Sequence, residues 1–317
     1  MRMVYNTRAC AVLYNVLKSN NIAGTVLIPS NICESVPATY MLLGINPIFC
    51  DVSIDDYQLD KSCAIRLIKD KKINILHYNH TYGYDSEEDI AFLERIKYSF
   101  PDVFIIDDKC LCFPEFLLND TVADISLYST GPVKCVDIGW GGYGIIKDNL
   151  IYEENNLVFN SNDLIEFDKH VKKCHCNDSP VNKKILLSNW LEISSNYQGN
   201  YWDDVKARSR ESLNHKLHIN EIYCDIPGSL PIEYCNWRYQ LLLENANECI
   251  KAIFEAGLFC SNHYKSLGNG YFSDVNTPNN FFLEKHIVNL FNDFRFSYEQ
   301  AKMVAELLKI IAIPVNR

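Results

Sequence analysis

From Thr7 to Lys147 short apolar runs alternate with amphipathic stretches, and no other property of this chain restricts its fold as much. Thr7–Leu17 carries apolar residues at helical spacing, with Asn6 or Thr7 able to cap its start. Thr25–Pro29 predicts a strand, and Glu34–Leu43 a helix that Gly44 closes. The alternation continues with strand Pro47–Val52, helix Lys61–Lys69, strand Lys72–His77, helix Ser86–Tyr98 capped by Ser86, and strand Val103–Asp107. Strands Asp124–Ser129 and Tyr143–Lys147 complete it. Strands interleaved with helices at this spacing predict an α/β fold whose mostly parallel sheet is sandwiched by helices. Ligands of such sheets bind at the carboxyl ends of the strands. Asn31, His80, Asp108 and Ser129 fall at those ends.

Beyond Glu153 the alternation stops. Residues 153–200 are polar and rich in Asn, Lys and Ser, without a repeat. Tyr201–Leu217 then predicts a connecting helix. A shorter pattern follows it: strand Arg238–Leu243, helix Ala246–Ala256, strand His286–Leu290 and helix Ser297–Ile311 opened by Ser297. The 317 residues therefore read as a large α/β domain over 1–200 and a small C-terminal α/β domain over 201–317.

Composition excludes some partners. A formal net charge of −10 disfavours nucleic acid and anionic membrane, because phosphate binding needs clustered Lys and Arg. No apolar run approaches a membrane span. Met1-Arg2-Met3-Val4-Tyr5 leads straight into a polar stretch, unlike a secretory signal. The thirteen cysteines are odd in number, scattered, and often in apolar surroundings, as at Cys50, Cys112 and Cys249. They read as reduced, buried thiols of a cytoplasmic protein. Cys174-His175-Cys176 is the one tight Cys/His cluster; its spacing is narrower than zinc sites use and no second ligand pair follows, so no metal is expected.

One lysine stands in an unusual setting. The stretch from Ser129 to Gly142 sets Lys134 among small, apolar and hydroxyl side chains, with glycines behind it. Lys134 is either a surface turn lysine or a Schiff-base lysine whose partly desolvated amine attacks an aldehyde. Pyridoxal 5'-phosphate (PLP) requires such a lysine, a carboxylate beside its pyridine nitrogen, and a phosphate cup of hydroxyls and backbone N–H groups at a helix start. Lys134, Asp108, Ser129 and the helix opening Asn6-Thr7-Arg8 supply these in a workable order. Each residue also has a plainer reading. Asp107 and Asp108 could simply end a strand, Thr7 could be only a cap, and His80 could be a satisfied core histidine.

Over Thr7 to about Leu308 the chain resembles the DegT/DnrJ/EryC1/StrS sugar aminotransferases, which have the PLP-dependent transferase fold type I. The resemblance rests on Leu27-Ile28-Pro29-Ser30-Asn31-Ile32-Cys33, Gly44 to Val52, His80-Thr81-Tyr82-Gly83, Ile105-Ile106-Asp107-Asp108, and Ser129 to Gly142. In the small domain it rests on Glu255-Ala256-Gly257-Leu258, His263-Tyr264 and Ile287-Val288-Asn289-Leu290. It implies that Lys134 holds PLP and moves a proton between substrate and cofactor, and that Asp108 binds the pyridinium nitrogen. It further implies that Ser129, Thr7 and Arg8 bind the phosphate, with Asn6 beside them, and that His80 and Tyr82 lie on the substrate side. Cys33 stands where the family often has an aromatic ring stacked on the cofactor, and Leu111 where a glutamine is usual. The chain begins almost at the phosphate-cup helix, where family members carry an N-terminal arm. Their asparagine-bearing segment, contributed by the partner subunit, has no clear counterpart in 153–200. The implied reaction moves an amino group, commonly from glutamate, onto a keto group of a nucleotide-linked sugar. A homodimer with shared sites is implied, in the setting of surface polysaccharide or glycosylated metabolite synthesis. Two alternatives are a dehydratase on the same scaffold, which Lys134 opposes because that branch carries histidine there, and a non-catalytic homologue acting as a binding partner.

Overall fold

A seven-stranded sheet forms the centre of the computed structural model, which describes residues 1–118, 121–155, 158–176, 180–182, 189–191, 196–270 and 272–316, without the side chains of His175 and Cys176. In chain order its elements are β1 (Arg2–Asn6), α1 (Ala9–Ser19), β2 (Thr25–Pro29), α2 (Ser35–Leu42), β3 (Asn46–Cys50) and α3 (Lys61–Lys71). Next come β4 (Ile75–Asn79), α4 (Glu87–Ser99), β5 (Phe104–Asp108), β6 (Ile125–Ser129) and β7 (Gly142–Ile146). The strand order is β1-β7-β6-β5-β4-β2-β3. The five strands β2 to β6 run parallel, and β7 is antiparallel to both β6 and β1. The segment joining β6 to β7 contains no helix to carry the chain back across the sheet, so β7 returns antiparallel. This is the predicted α/β sheet, covered on both faces.

The two faces follow from the strand period. Val26, Ile28, Ile75, Phe104, Ile106, Ile125 and Leu127 pack under Val12, Val16 and Leu17 of α1. The intervening Leu27, Leu76, Tyr78 and Ile105 pack under Ile68 of α3 and Leu93 and Ile96 of α4. Ser86 caps α4 as predicted, in a reciprocal pair with Asp89: the Asp89 N–H donates to Ser86 Oγ and the Ser86 N–H to Asp89 Oδ2.

The start of α1 differs from expectation. Neither Asn6 nor Thr7 caps it; Arg8 is the N-cap residue and makes no side-chain cap bond. Asn6 ends β1, a strand the sequence reading passed over, and the Gly141 N–H donates to the Thr7 carbonyl at 3.1 Å. That pairing prolongs the ladder, keeps Thr7 out of the helix and leaves the first N–H groups of α1 without a side-chain acceptor.

The rest of the chain adds α5 (Ser161–Cys176), α6 (Tyr201–Tyr223), β8 (Tyr239–Leu242), α7 (Ala246–Glu255), β9 (Cys260–Ser261), α8 (Pro278–His286), β10 (Ile287–Leu290) and α9 (Tyr298–Ile311). Helix α5 lies in the stretch read as patternless; its Phe167 ring stacks on Trp190 at 4.4 Å. Strands β8, β10 and β9 form a small antiparallel sheet over a second core that includes Leu241, Ile253, Val288, Leu290, Val304 and Leu308. The chain between β9 and β10 returns to the large sheet. The N–H groups of Asn279 and Asn280 at the start of α8 donate to Asp51 at 3.0 and 2.9 Å, and Leu267 and Phe272 join the first core. Among the described residues no helix is long and apolar enough to cross a membrane.

Candidate active site

Thr7, Arg8, Cys33, His80, Asp108, Ser129 and Lys134 line one cavity of about 340 Å³ at the carboxyl ends of the parallel strands. They arrive from six different stretches of chain, and the sheet is what assembles them. Asn6 and Tyr82 stand outside the lining. The Asn6 amide is occupied in shaping the entrance to α1: its Oδ1 accepts from the Thr7 N–H at 2.7 Å and its Nδ2 donates to the Tyr152 hydroxyl. Tyr82 lies one layer below, where its hydroxyl donates to the His263 carbonyl at 2.8 Å and its ring is parallel to Trp237.

Asp107 and Asp108, adjacent in sequence, serve opposite faces of the sheet. Asp108 faces the cavity. Its Oδ1 accepts from the Cys110 N–H at 2.9 Å and its Oδ2 from His77 Nε2 at 2.9 Å, while His77 Nδ1 accepts from the Tyr40 hydroxyl at 2.8 Å. Burial opposes the Asp108 charge, but the His77 and Cys110 interactions outweigh it and hold the carboxyl down at about 2. Asp107 instead receives His80 Nε2 at 2.7 Å, and His80 Nδ1 donates to the Tyr84 carbonyl at 3.0 Å. Burial disfavours the imidazolium, yet the Asp107 charge and hydrogen bond, with Asp85 nearby, raise His80 to about 9. Two ring nitrogens that both donate are those of a cation. His80 is thus a paired, buried cation at the cavity wall.

Lys134 is half-buried on the loop between β6 and β7, and no described residue bonds or pairs with its amine. The residue before it, Val133, has φ of 60°, a conformation that costs a β-branched side chain energy. The loop holds it there from both sides: the Val133 N–H donates to Asp137 Oδ2 at 2.7 Å, and Trp237 Nε1 donates to the Val133 carbonyl at 2.7 Å. Asp137 also accepts from the Gly139 N–H and from Arg295. Asp137 therefore sets the loop that carries Lys134, a role its position in sequence did not signal.

At the other end of the cavity, Ala9 and Cys10 begin α1 and Ser129 ends β6. Thr7 Oγ1 is buried with no partner. Gly142 makes this approach possible: a Cβ there would lie 2.3 Å from Ala9 N. An orphaned hydroxyl, an uncapped helix start and a serine together could hold an anion. Cys33, Leu111, Trp140 and Tyr264 complete the walls.

Sequence reading missed His77, Asn79, Trp140 and Tyr264 as lining residues. His77 and Asn79 carry a signal, as polar residues two apart in an otherwise apolar run, but the strand predicted over Lys72–His77 stops short of Asn79. Among the other groups nominated or nearby, His80, Asp85 and Asp89 approach one another as metal ligands do. Each is already engaged, by Asp107, by Lys109 and by Lys61 with Tyr78 respectively. Of the Cys174-His175-Cys176 cluster, the Cys174 thiol packs beside His170 and Pro180, and the other two side chains lie outside the described residues. The twelve described cysteines are all free thiols.

The sheet and its helices share the fold type I architecture of solved PLP-dependent aminotransferases. Neither a family model nor a curated protein sequence matches the chain. Solved structures do. Spr1654 of Streptococcus pneumoniae, a candidate sugar aminotransferase solved in its PLP-form, superposes with a TM-score of 0.67 at 16% identity, over 97% of this chain and 86% of that one. DesI, solved with its TDP-sugar product, gives 0.67 at 13% identity over 98% and 80%. The sugar aminotransferase CalS13 of Micromonospora echinospora gives 0.65 at 13% identity over 97% and 87%. At such identities the shared property is the fold.

Proposed function

We propose that this protein is a PLP-dependent aminotransferase that moves an amino group, with glutamate as donor, onto a keto group of a nucleotide-linked sugar. The observation that carries this reading is the meeting of Lys134, Asp108, Ser129 and Thr7 in one cavity. The residues fit the cofactor. The buried, unpartnered Thr7 Oγ1 and the open start of α1 suit a phosphate, and a carboxylate held at about 2 suits a pyridinium nitrogen. Once bound, the cofactor would supply an electron sink for breaking the carbon–hydrogen bond beside the substrate nitrogen.

The chain's own groups divide the remaining work. Lys134 Nζ would anchor the cofactor and, when released by substrate, would take the proton from the substrate carbon and return it. Asp108 keeps its negative charge because His77 and Cys110 stabilise it, and so would keep the ring nitrogen protonated. Ser129, Thr7, Arg8 and the N–H groups of Ala9 and Cys10 would bind the phosphate. Tyr264, Trp140 and Leu111 give the cavity apolar and aromatic walls. A second hollow of about 620 Å³ shares Pro132 and Gly139 with the first and includes Tyr197, Arg208 and Phe294, which supports a substrate larger than an amino acid. The DesI structure, with its TDP-sugar product, supports the nucleotide-linked class.

The proposal extends to a large domain over 1–200, a small domain over 201–317, a cytoplasmic location, and a homodimer serving polysaccharide or glycosylated-metabolite synthesis. Distinct main cores under the two sheets support the division, with Leu267 and Phe272 of the second stretch packing into the first core, and the half-exposed Tyr5 beside Trp140, which lines the cavity, supports a subunit contact there. Absorbance spectra before and after borohydride, followed by peptide mass mapping, test the cofactor. A visible band abolished by borohydride, with a pyridoxyl adduct on Lys134, is expected. Lys134→Arg should lose the adduct and reduce amino transfer about 10³-fold. A colourless protein that takes up no PLP would sink the reading and leave a binding role.

A further inference from the structure

Asn79 closes β4 with a side chain that nothing in the protein uses. It is 5% exposed, lines the same cavity as Asp108, and its Oδ1 is buried with no partner. No described residue hydrogen-bonds either end of the amide. A buried carboxamide left without partners costs stability comparable to a lost hydrogen bond, so its position calls for a ligand.

Register gives that ligand its orientation. Asn79 pairs with Asp108 in the parallel ladder of β4 and β5, so both side chains leave the same face of the sheet. Ser129 lies on the other flank of Asp108, on β6, and the α1 start that shapes the anion cup lies beyond it against β7. In pyridoxal phosphate the phosphate arm and the phenolic oxygen stand on opposite sides of the axis from the ring nitrogen to the aldehyde carbon. With the nitrogen at Asp108 and the phosphate on the β6 and β7 side, the phenolic oxygen falls on the β4 side. Leu111, which also lines the cavity, has no polar atom to offer it.

We propose that the Asn79 side-chain amide donates a hydrogen bond to the phenolic oxygen of the cofactor, fixing the tilt of the ring and stabilising negative charge on that oxygen. This inference rests on the PLP reading above. Which end of the amide donates is set by the partner, and a phenolate selects the NH₂ end.

The test is a PLP titration of the purified protein, followed by a pH titration of the bound cofactor's visible band. A donor to the phenolate favours the deprotonated form, so Asn79→Leu should raise the pH midpoint of that band by about one unit and weaken PLP binding about tenfold. Asn79→Asp, nearly isosteric and unable to donate when ionised, should raise the midpoint as well and stands in if the leucine variant fails to fold. Adding Leu111→Gln to Asn79→Leu should bring the midpoint back toward the wild-type value. Variants that bind PLP with wild-type affinity and midpoint would overturn the role of Asn79 while leaving the cofactor reading intact. Failure of the wild-type protein itself to take up PLP would overturn both.

Discussion

His77 and Asp108 are joined across adjacent parallel strands, with His77 Nε2 2.9 Å from Asp108 Oδ2 and the Tyr40 hydroxyl 2.8 Å from the other ring nitrogen. The three groups form a buried line running from α2 to the cavity. Its effect is to keep a carboxylate charged where burial alone would neutralise it.

Removing the imidazole should therefore destabilise the protein in a pH-dependent way. Asp108 has a folded-state value near 2, below the ordinary carboxylate range, so its stabilisation is complete above about pH 4 and fades as pH falls toward 2. His77→Leu should cost about 2–3 kcal/mol at pH 7. Denaturant unfolding at a series of pH values should show the gap to wild type narrowing on acidification. A gap that is constant with pH would assign the loss to packing instead.

The His80 and Asp107 pair should show the opposite dependence. His80 is raised to about 9, so its contribution is complete below about pH 6.5 and is lost as pH rises through 9. Asp107→Asn strands a buried imidazole and should cost about 3 kcal/mol at neutral pH. The difference from wild type should shrink between pH 8 and 10, and NMR titration of the imidazole should find the variant's midpoint well below wild type.

Val133 stores strain next to Lys134. Relieving it with Val133→Gly should raise stability by up to about 1 kcal/mol if the loop keeps its shape. The added backbone freedom should misdirect Lys134, lowering the rate of adduct formation with PLP. Thermal unfolding and the kinetics of the visible band report the two effects separately.

Cys63 should be the most readily alkylated thiol. The neighbouring Cys50 thiol and the Arg66 guanidinium, 3.3 Å away, outweigh burial and lower the Cys63 thiol below its ordinary range, whereas burial raises Cys110, Cys112 and Cys135. Peptide mapping after brief iodoacetamide treatment at pH 7 should find Cys63 modified first, and Arg66→Ala should slow that reaction.

Much of the large sheet was legible because its signals are local. Thr25–Pro29 matched its strand at both ends, and the others shifted by one to three residues. Ser86 and Ser297 announced their helices by capping chemistry that acts within one turn. What escaped reading depends on partners distant in sequence. β1 is a five-residue edge strand defined by pairing with β7, and Thr7 stays outside α1 because Gly141 bonds to its carbonyl. Helix α5 has a mixed surface whose contact with Trp190 lies outside its own period.

By itself, the sequence determined the alternation of elements, the strand ends at which Asp108 and Ser129 stand, and the lysine five residues beyond Ser129. These are consequences of side-chain period and chain order. Tertiary structure alone decided that β4 would lie beside β5 in a register that sets His77 and Asn79 next to Asp108, while Asp107 turns away from them and takes His80 as its partner. Alternation fixes which residues share a face of one strand. Register between strands is set by packing across the whole sheet, and no single segment contains it.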